Sequence, residues 1–178
     1  RSFYTRKKKI NRPNDLNGLK IRVMESKTAF DMVKSLGGSP TPISYGELYT
    51  SLQQGVVDGA ENNPPSFYLS KHYEVCKYYT LDEHTLLHDV LLISTHTWNK
   101  LTNQEKDWIT LAVELSVIEQ RMLWSKSEKE SLDAVQRAGV EIIIPDKKLF
   151  SEKSKSVLES YKSNEEIYSF IDRIRKTE

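Results

Sequence analysis

Cysteine is all but absent from this chain: Cys76 is the single one in 178 residues. That excludes an internal disulfide framework. Glycine and proline are sparse, at seven and six, so long stretches run without the residues that stop helices and strands. No run approaches the ~20 apolar residues that a membrane-spanning helix needs. No apolar h-region follows the basic start, so no signal peptide is read there. Sequence signatures of catalysis are missing too: Gly-x-Gly-x-x-Gly, a Gly-Lys-Ser/Thr phosphate loop, Gly-x-Ser-x-Gly and His-Glu-x-x-His. Nine Tyr, five Phe and three Trp are too many for a disordered chain. The length suits one domain, or one lobe with an extension.

The net charge of +1 hides an asymmetry. Residues 1–22 carry Arg1, Arg6, Lys7, Lys8, Lys9, Arg12, Lys20 and Arg22 against Asp15, or +7, which leaves −6 for the remainder. Such an arm suits nucleic acid or anionic lipid. The reading taken here is a solvated loop and strand edge, with no nucleic-acid partner.

The pattern alternates strands and helices, an α/β chain. Leu19, Ile21 and Val23 alternate with Lys20 and Arg22 as a half-buried strand. Ser26 is placed to cap a helix that Gly37-Gly38 ends. Pro40–Ile43 reads as extended. Ser44 and Glu47 form a capping-box pattern before a helix ending at Gly55. Val56–Gly59 reads as a short strand and turn, and Pro64-Pro65 opens a helix reaching about Val75. Tyr78–Thr80 and Val90–Thr95 read as strands, the second so continuously apolar that burial on both faces is expected. From the capping-box pair Thr102 and Glu105 to Ala138 no Pro or Gly intervenes. That predicts a helix of about 36 residues and about 54 Å, long enough to brace two bodies. A strand at Val140–Ile144 and helices at about 147–161 and 165–175 close the chain.

Chemistry-bearing residues are few. Cys76 lacks a nucleophile's neighbours. His72, His84, His88 and His96 lack zinc-ligand spacing, so neither a metal nor a cofactor is expected. Asp58, Glu61 and Glu47 lie near capped helix starts, where carboxylates are usually structural. Arg22 is either a surface arginine or a guanidinium aimed into a cleft, where its planar fork binds a carboxylate bidentately. Asn62 and Asn63 are either a helix cap or an amide donor at the carboxyl end of a strand.

Several segments together resemble the substrate-binding subunits of TRAP transporters, the DctP-like family. They are Gly18-Leu-Lys-Ile-Arg-Val-Met24, Leu36-Gly-Gly-Ser-Pro-Thr-Pro-Ile43, Glu47-Leu-Tyr49 and Leu52-Gln-Gln-Gly-Val-Val-Asp-Gly-Ala-Glu-Asn62. Tyr73-Glu-Val-Cys-Lys-Tyr78, His84, Trp98-Asn-Lys-Leu101 and the long helix agree with them. The resemblance implies a periplasmic-binding-protein type II-like lobe with a domain-spanning helix, the N-terminal lobe being largely missing from this chain. Residues 1–88 would be the second lobe with its hinge, 89–101 a strand crossing into the first lobe, 102–139 the bridging helix, and 140–178 the rest of the second lobe. It implies no enzyme but a periplasmic or extracytoplasmic binder that closes on a small organic acid, such as a C4-dicarboxylate, and hands it to TRAP membrane permease subunits. A ligand-sensing module of the same fold, signalling to a membrane partner, is the alternative. By the same resemblance the ligand residues fall on Arg22, Arg1, Tyr45, Asn62, His84 and Asp89. Ala60 stands where the family usually has Gln, and Asn63 is an extra residue before the proline. A chain of this kind would leave apolar surface open along 90–95 and the long helix, available for self-association.

Overall fold

Six short strands form one sheet in a computed structural model that describes residues 1–177. They are β1 (Ser2–Thr5), β2 (Lys20–Val23), β3 (Ser39–Pro42), β4 (Gly59–Asn62), β5 (Tyr78–Thr80) and β6 (Glu141–Ile143), in the order β3-β2-β4-β1-β5-β6. β2 runs parallel to β3 and β4, and β5 parallel to β6. β1 alone runs antiparallel to its two neighbours, with Phe3 opposite Glu61 and Thr80. The basic arm is therefore corrected at its start: Ser2–Thr5 is fully buried in the middle of the sheet and not a strand edge. Phe3, Tyr4 and Thr5 are β-forming residues, and Ile10 buries fully beyond the exposed Lys7, Lys8 and Lys9.

β4 starts at Gly59, later than the Val56–Gly59 expected from sequence. A Cβ at Gly59 would lie 2.3 Å from the Tyr4 carbonyl oxygen. Only glycine lets β4 come this close to β1, so pairing begins there, while Val57 turns into the core.

Side-chain alternation separates the two faces. On one, Phe3, Ile21 and Val23 pack beneath α1 (Lys27–Leu36), through Val33 and Leu36, and later chain residues Phe150 and Val157. On the other, Tyr4, Ala60 and Tyr79 pack with Leu48 and Leu52 of α2 (Leu48–Gln54) and Phe67 of α3 (Pro64–Leu69). Each fully buried Val, Leu, Ile or Phe among them contributes about 1.5–3 kcal/mol. Ser26 caps α1 as expected, and Gly37 closes it with φ 101. The Ser44–Glu47 box does not form: Tyr45–Glu47 makes a 3-10 turn without a side-chain cap. The single helix expected through Val75 is split, because Lys71 takes φ 58 before the one-turn α4 (His72–Val75).

Residues 90–94 form no strand among the described residues, against the sequence reading. No neighbouring backbone pairs with them, and Leu92 is 82% exposed. A helical turn, α5 (Thr95–Trp98), then leads to α6 (Asn103–Arg137), which opens on the Thr102–Glu105 capping box. Val135 near its end is buried in the second core. Along the rest, Trp108, Leu111, Leu115, Ile118 and Met122 are exposed, and their 3-4-3-4 spacing puts them on one stripe. α7 (Lys147–Glu159) and α8 (Glu165–Arg175) finish the chain.

Gly59→Ala is expected to lower stability by roughly 2–3 kcal/mol, because an added methyl must separate two central strands. Urea unfolding followed by circular dichroism checks this, and an unchanged midpoint would show that the strand spacing is not set here.

Candidate functional site

The C-terminal ends of β2, β4 and β5 and the N-terminal end of β1 lie at the same edge of the sheet. Backbone carbonyls and side chains converge there, and open α/β sheets place their ligands at such edges. Five of the six residues expected to bind ligand stand at or beside this edge, divided between its two faces.

Arg22 belongs to the face opposite Ile21 and Val23. It is only 4% exposed, whereas Lys20, two residues earlier on the same face, is exposed. Its Nε donates to the Ile43 carbonyl at 2.8 Å, and the Tyr45 ring covers the guanidinium at 5.7 Å. The terminal amines donate to no protein group, and no carboxylate pairs with Arg22, among the described residues. Burial pulls its pKa below the usual value, yet a guanidinium keeps its charge. An anion with two oxygens would satisfy it.

Asn62 is buried on the same face at the end of β4. Its Oδ1 accepts from Asn63 N at 2.9 Å and its carbonyl accepts from the Tyr79 hydroxyl. The side-chain nitrogen donates to no protein group among the described residues. Asn63 is the helix cap, its Oδ1 accepting from Ser66 N at 2.8 Å. The cap reading thus falls to Asn63, the extra asparagine.

Arg1 and His84 sit on the other face, with Phe3. Arg1 is paired with Glu61: Nε bonds Oε2, while Nη2 donates to Oε1 at 2.9 Å and to the carbonyl at 3.0 Å. The His84 ring stacks on Phe3 at 4.2 Å. Its Nδ1 lies 2.6 Å from Asp82 Oδ2, whose other oxygen accepts from Phe3 N. Glu83, at φ 49, turns the chain between Asp82 and His84. His84 Nε2 is buried without a hydrogen bond, 3.8 Å from Glu61 Oε2. Burial works against the charged imidazole, but Asp82 and then Glu61 outweigh it and hold His84 above its ordinary value. Burial likewise opposes the Glu61 carboxylate, and His84 and Arg1 outweigh it and hold the carboxyl low. A cavity of about 340 Å³ adjoins this network, lined by Arg1, Glu61 and His84 and by apolar groups such as Met32, Leu86 and Val157.

Asp89 joins neither cluster: it is exposed in the segment after β5. Sequence reading left Glu61 as a structural carboxylate and missed Asp82, Tyr4 and His72. The Tyr4 hydroxyl meets His72 Nδ1 at 2.8 Å inside the core. Only the aromatic pair Phe3-Tyr4, and a histidine following Lys71 at a helix start, hinted at these contacts. Cys76 is fully buried, and burial pushes its thiol up to about 12, as for an inert side chain. Among the described residues no three His, Cys, Asp or Glu are arranged to hold a metal ion.

The family described as bacterial extracellular solute-binding protein, family 7 (DctP), matches residues 1–164. YiiZ, an uncharacterized protein of Salmonella typhimurium, is 43% identical over 176 residues, covering 98% of this chain and 54% of that protein. A TRAP periplasmic solute-binding protein from Chromohalobacter salexigens, solved with bound D-glucuronate, superposes with a TM-score of 0.96 at 36% identity, covering 99% of this chain and 60% of that one. Another, from Sulfitobacter sp. NAS-14.1 with bound β-D-galacturonate, gives 0.91 at 38% identity, over 96% and 57%. The chain thus spans little more than half the length of these relatives.

The two buried histidines set opposite pH dependences. His84, raised from 6.5, contributes stability that is fully present below 6.5 and lost as pH rises through its folded value. Burial, then the charge of Arg22, lowers His72 from 6.5 to about 4. Its contribution is present above 6.5 and lost as pH falls toward 4. Glu61 adds a further loss below its ordinary 4.5. Stability is expected to peak near the ordinary histidine value. His84→Asn should flatten the fall on the alkaline side, and His72→Gln the fall on the acid side. Thermal midpoints across pH decide, and limbs unmoved by these variants would refute the assignments.

Proposed function

The chain belongs to the bacterial extracellular solute-binding proteins of family 7, and on that premise we propose that it is the C-terminal half of an extracytoplasmic protein that captures a sugar acid. The observation that carries this reading is Arg22, buried with no carboxylate partner of its own. A hexuronate fits the chemistry around it. Its carboxylate matches the guanidinium fork, its hydroxyls can accept from the unused Asn62 amide, and its C–H face can lie against Tyr45. Structural relatives at 36–38% identity hold D-glucuronate and β-D-galacturonate, which supports a hexuronate over the C4-dicarboxylate expected from sequence. Arg1 and His84, already engaged with Glu61 and Asp82, would shape the far wall of the site; Asp89 would reach it only on closure.

On this reading residues 1–88 and 140–178 form one lobe, 89–101 crosses into the other, and 102–139 bridges both. The open apolar run from Val90 to Ile93 and the stripe on α6 are the surfaces such an arrangement would cover. Lobe closure would remove water from the Arg22–carboxylate pair and strengthen it. Delivery would then be to TRAP membrane permease subunits.

In the full-length protein, Arg22→Ala is expected to weaken D-glucuronate binding by at least about 30-fold, since truncating one partner of a buried charge pair costs about 2–5 kcal/mol. Arg22→Lys should lose about tenfold, because a point charge replaces a planar fork. Isothermal calorimetry with D-glucuronate and D-galacturonate measures both. Unchanged affinity in Arg22→Ala would overturn the reading.

A further inference from the structure

We propose that His72 is a positioning residue for the ligand site: it wedges against Tyr45 and so holds that ring over the Arg22 guanidinium. The inference rests on the reading of Arg22 as the carboxylate anchor. His72 opens α4 directly after the left-handed Lys71, and its imidazole is 2% exposed. Three tyrosines surround it. Tyr4 meets Nδ1 through its hydroxyl at 2.8 Å. Tyr45 lies edge-on with ring centres 5.8 Å apart, and Tyr49 stacks at 6.5 Å.

Tyr45 needs such support. It stands in the 3-10 turn that no side chain caps, and it is 44% exposed. Two contacts from the α3–α4 corner fix it. Its hydroxyl bonds Ser70 Oγ at 2.6 Å, and its ring edge rests on His72, two residues farther on. A tyrosine free to swing away would uncover Arg22 and lose the cation–π contact, and the ligand would then have to order the ring as it binds.

Histidine meets three demands at once here. It supplies an aromatic wedge of the right size. It also supplies a hydrogen-bond partner for the Tyr4 hydroxyl, which is fully buried and would otherwise be unsatisfied. Held neutral by burial and by the nearby Arg22 charge, it places no second cation beside the guanidinium. Phenylalanine would keep only the wedge, and lysine would add a charge.

The test is a double-mutant cycle on the full-length protein, read as the Kd for D-glucuronate by calorimetry, with thermal midpoints recorded. His72→Leu is made together with Tyr4→Phe, so that no buried hydroxyl is orphaned and the fold is kept. With Tyr45 present, this pair is expected to weaken binding about tenfold. In a Tyr45→Ala background the same pair should cost less than about twofold, because the ring it supports is gone. His72→Phe with Tyr4→Phe restores the wedge and should stay within about twofold of the parent. An equal cost in both backgrounds, or no loss with Tyr45 present, overturns the assignment of His72. Arg22→Ala is run alongside: unchanged affinity there overturns the carboxylate reading itself, whereas lost binding with an additive cycle overturns only the role of His72.

Discussion

Arg22 is a guanidinium largely enclosed by its neighbours and given one backbone acceptor. Around it the sheet supplies Ile43 O along one edge of the guanidinium and the Tyr45 ring over its face, but no acid. Arg1 shows the contrast at the same end of the sheet. There Glu61 occupies the fork, and the pair is locked into a larger network through His84 and Asp82. One arginine is compensated by an acid within the chain, and the other has no acid partner among the described residues. The difference arises from strand alternation, which turns Glu61 toward the Phe3 face and Arg22 toward the Tyr4 face.

That separation also explains why two buried histidines behave oppositely. His84 lies among carboxylates and is drawn toward its charged form. His72 lies among tyrosines and near a guanidinium and is kept neutral. Each packs on its own face of the sheet: His84 beside the Arg1–Glu61 pair, and His72 against the Tyr45 ring that lies over Arg22. The central antiparallel strand β1 joins the two, since Phe3 stacks on one imidazole and Tyr4 bonds the other. Its close fit to β4 in turn depends on the bare backbone of Gly59.

Much of this was legible in the sequence, for local physical reasons. β2, the stop at Gly37, and the capping box that opens the 35-residue α6 are all specified by neighbouring residues, and their boundaries came close. Arg22 stood out because a charge between Ile21 and Val23 needs a reason. Contacts set by tertiary pairing were not legible. Ser2–Thr5 was masked by the lysines that follow it. The Asp82–His84 approach depends on the positive φ of Glu83, which a non-glycine residue does not announce. Val90–Thr95 has the composition of a buried strand, yet a strand needs a partner, and none lies beside it among the described residues. His72 had no signal beyond its helix start, because its role depends on three tyrosines brought together from distant segments.

Under the proposed function, the guanidinium of Arg22, which has no acid partner among the described residues, would seat a ligand carboxylate. A crystal structure of the full-length protein with D-glucuronate tests it most directly. The expected result is a carboxylate with both oxygens on the Arg22 terminal amines at about 2.7–2.9 Å, beneath the Tyr45 ring. A glucuronate bound elsewhere, with the Arg22 amines satisfied by protein groups, would contradict it.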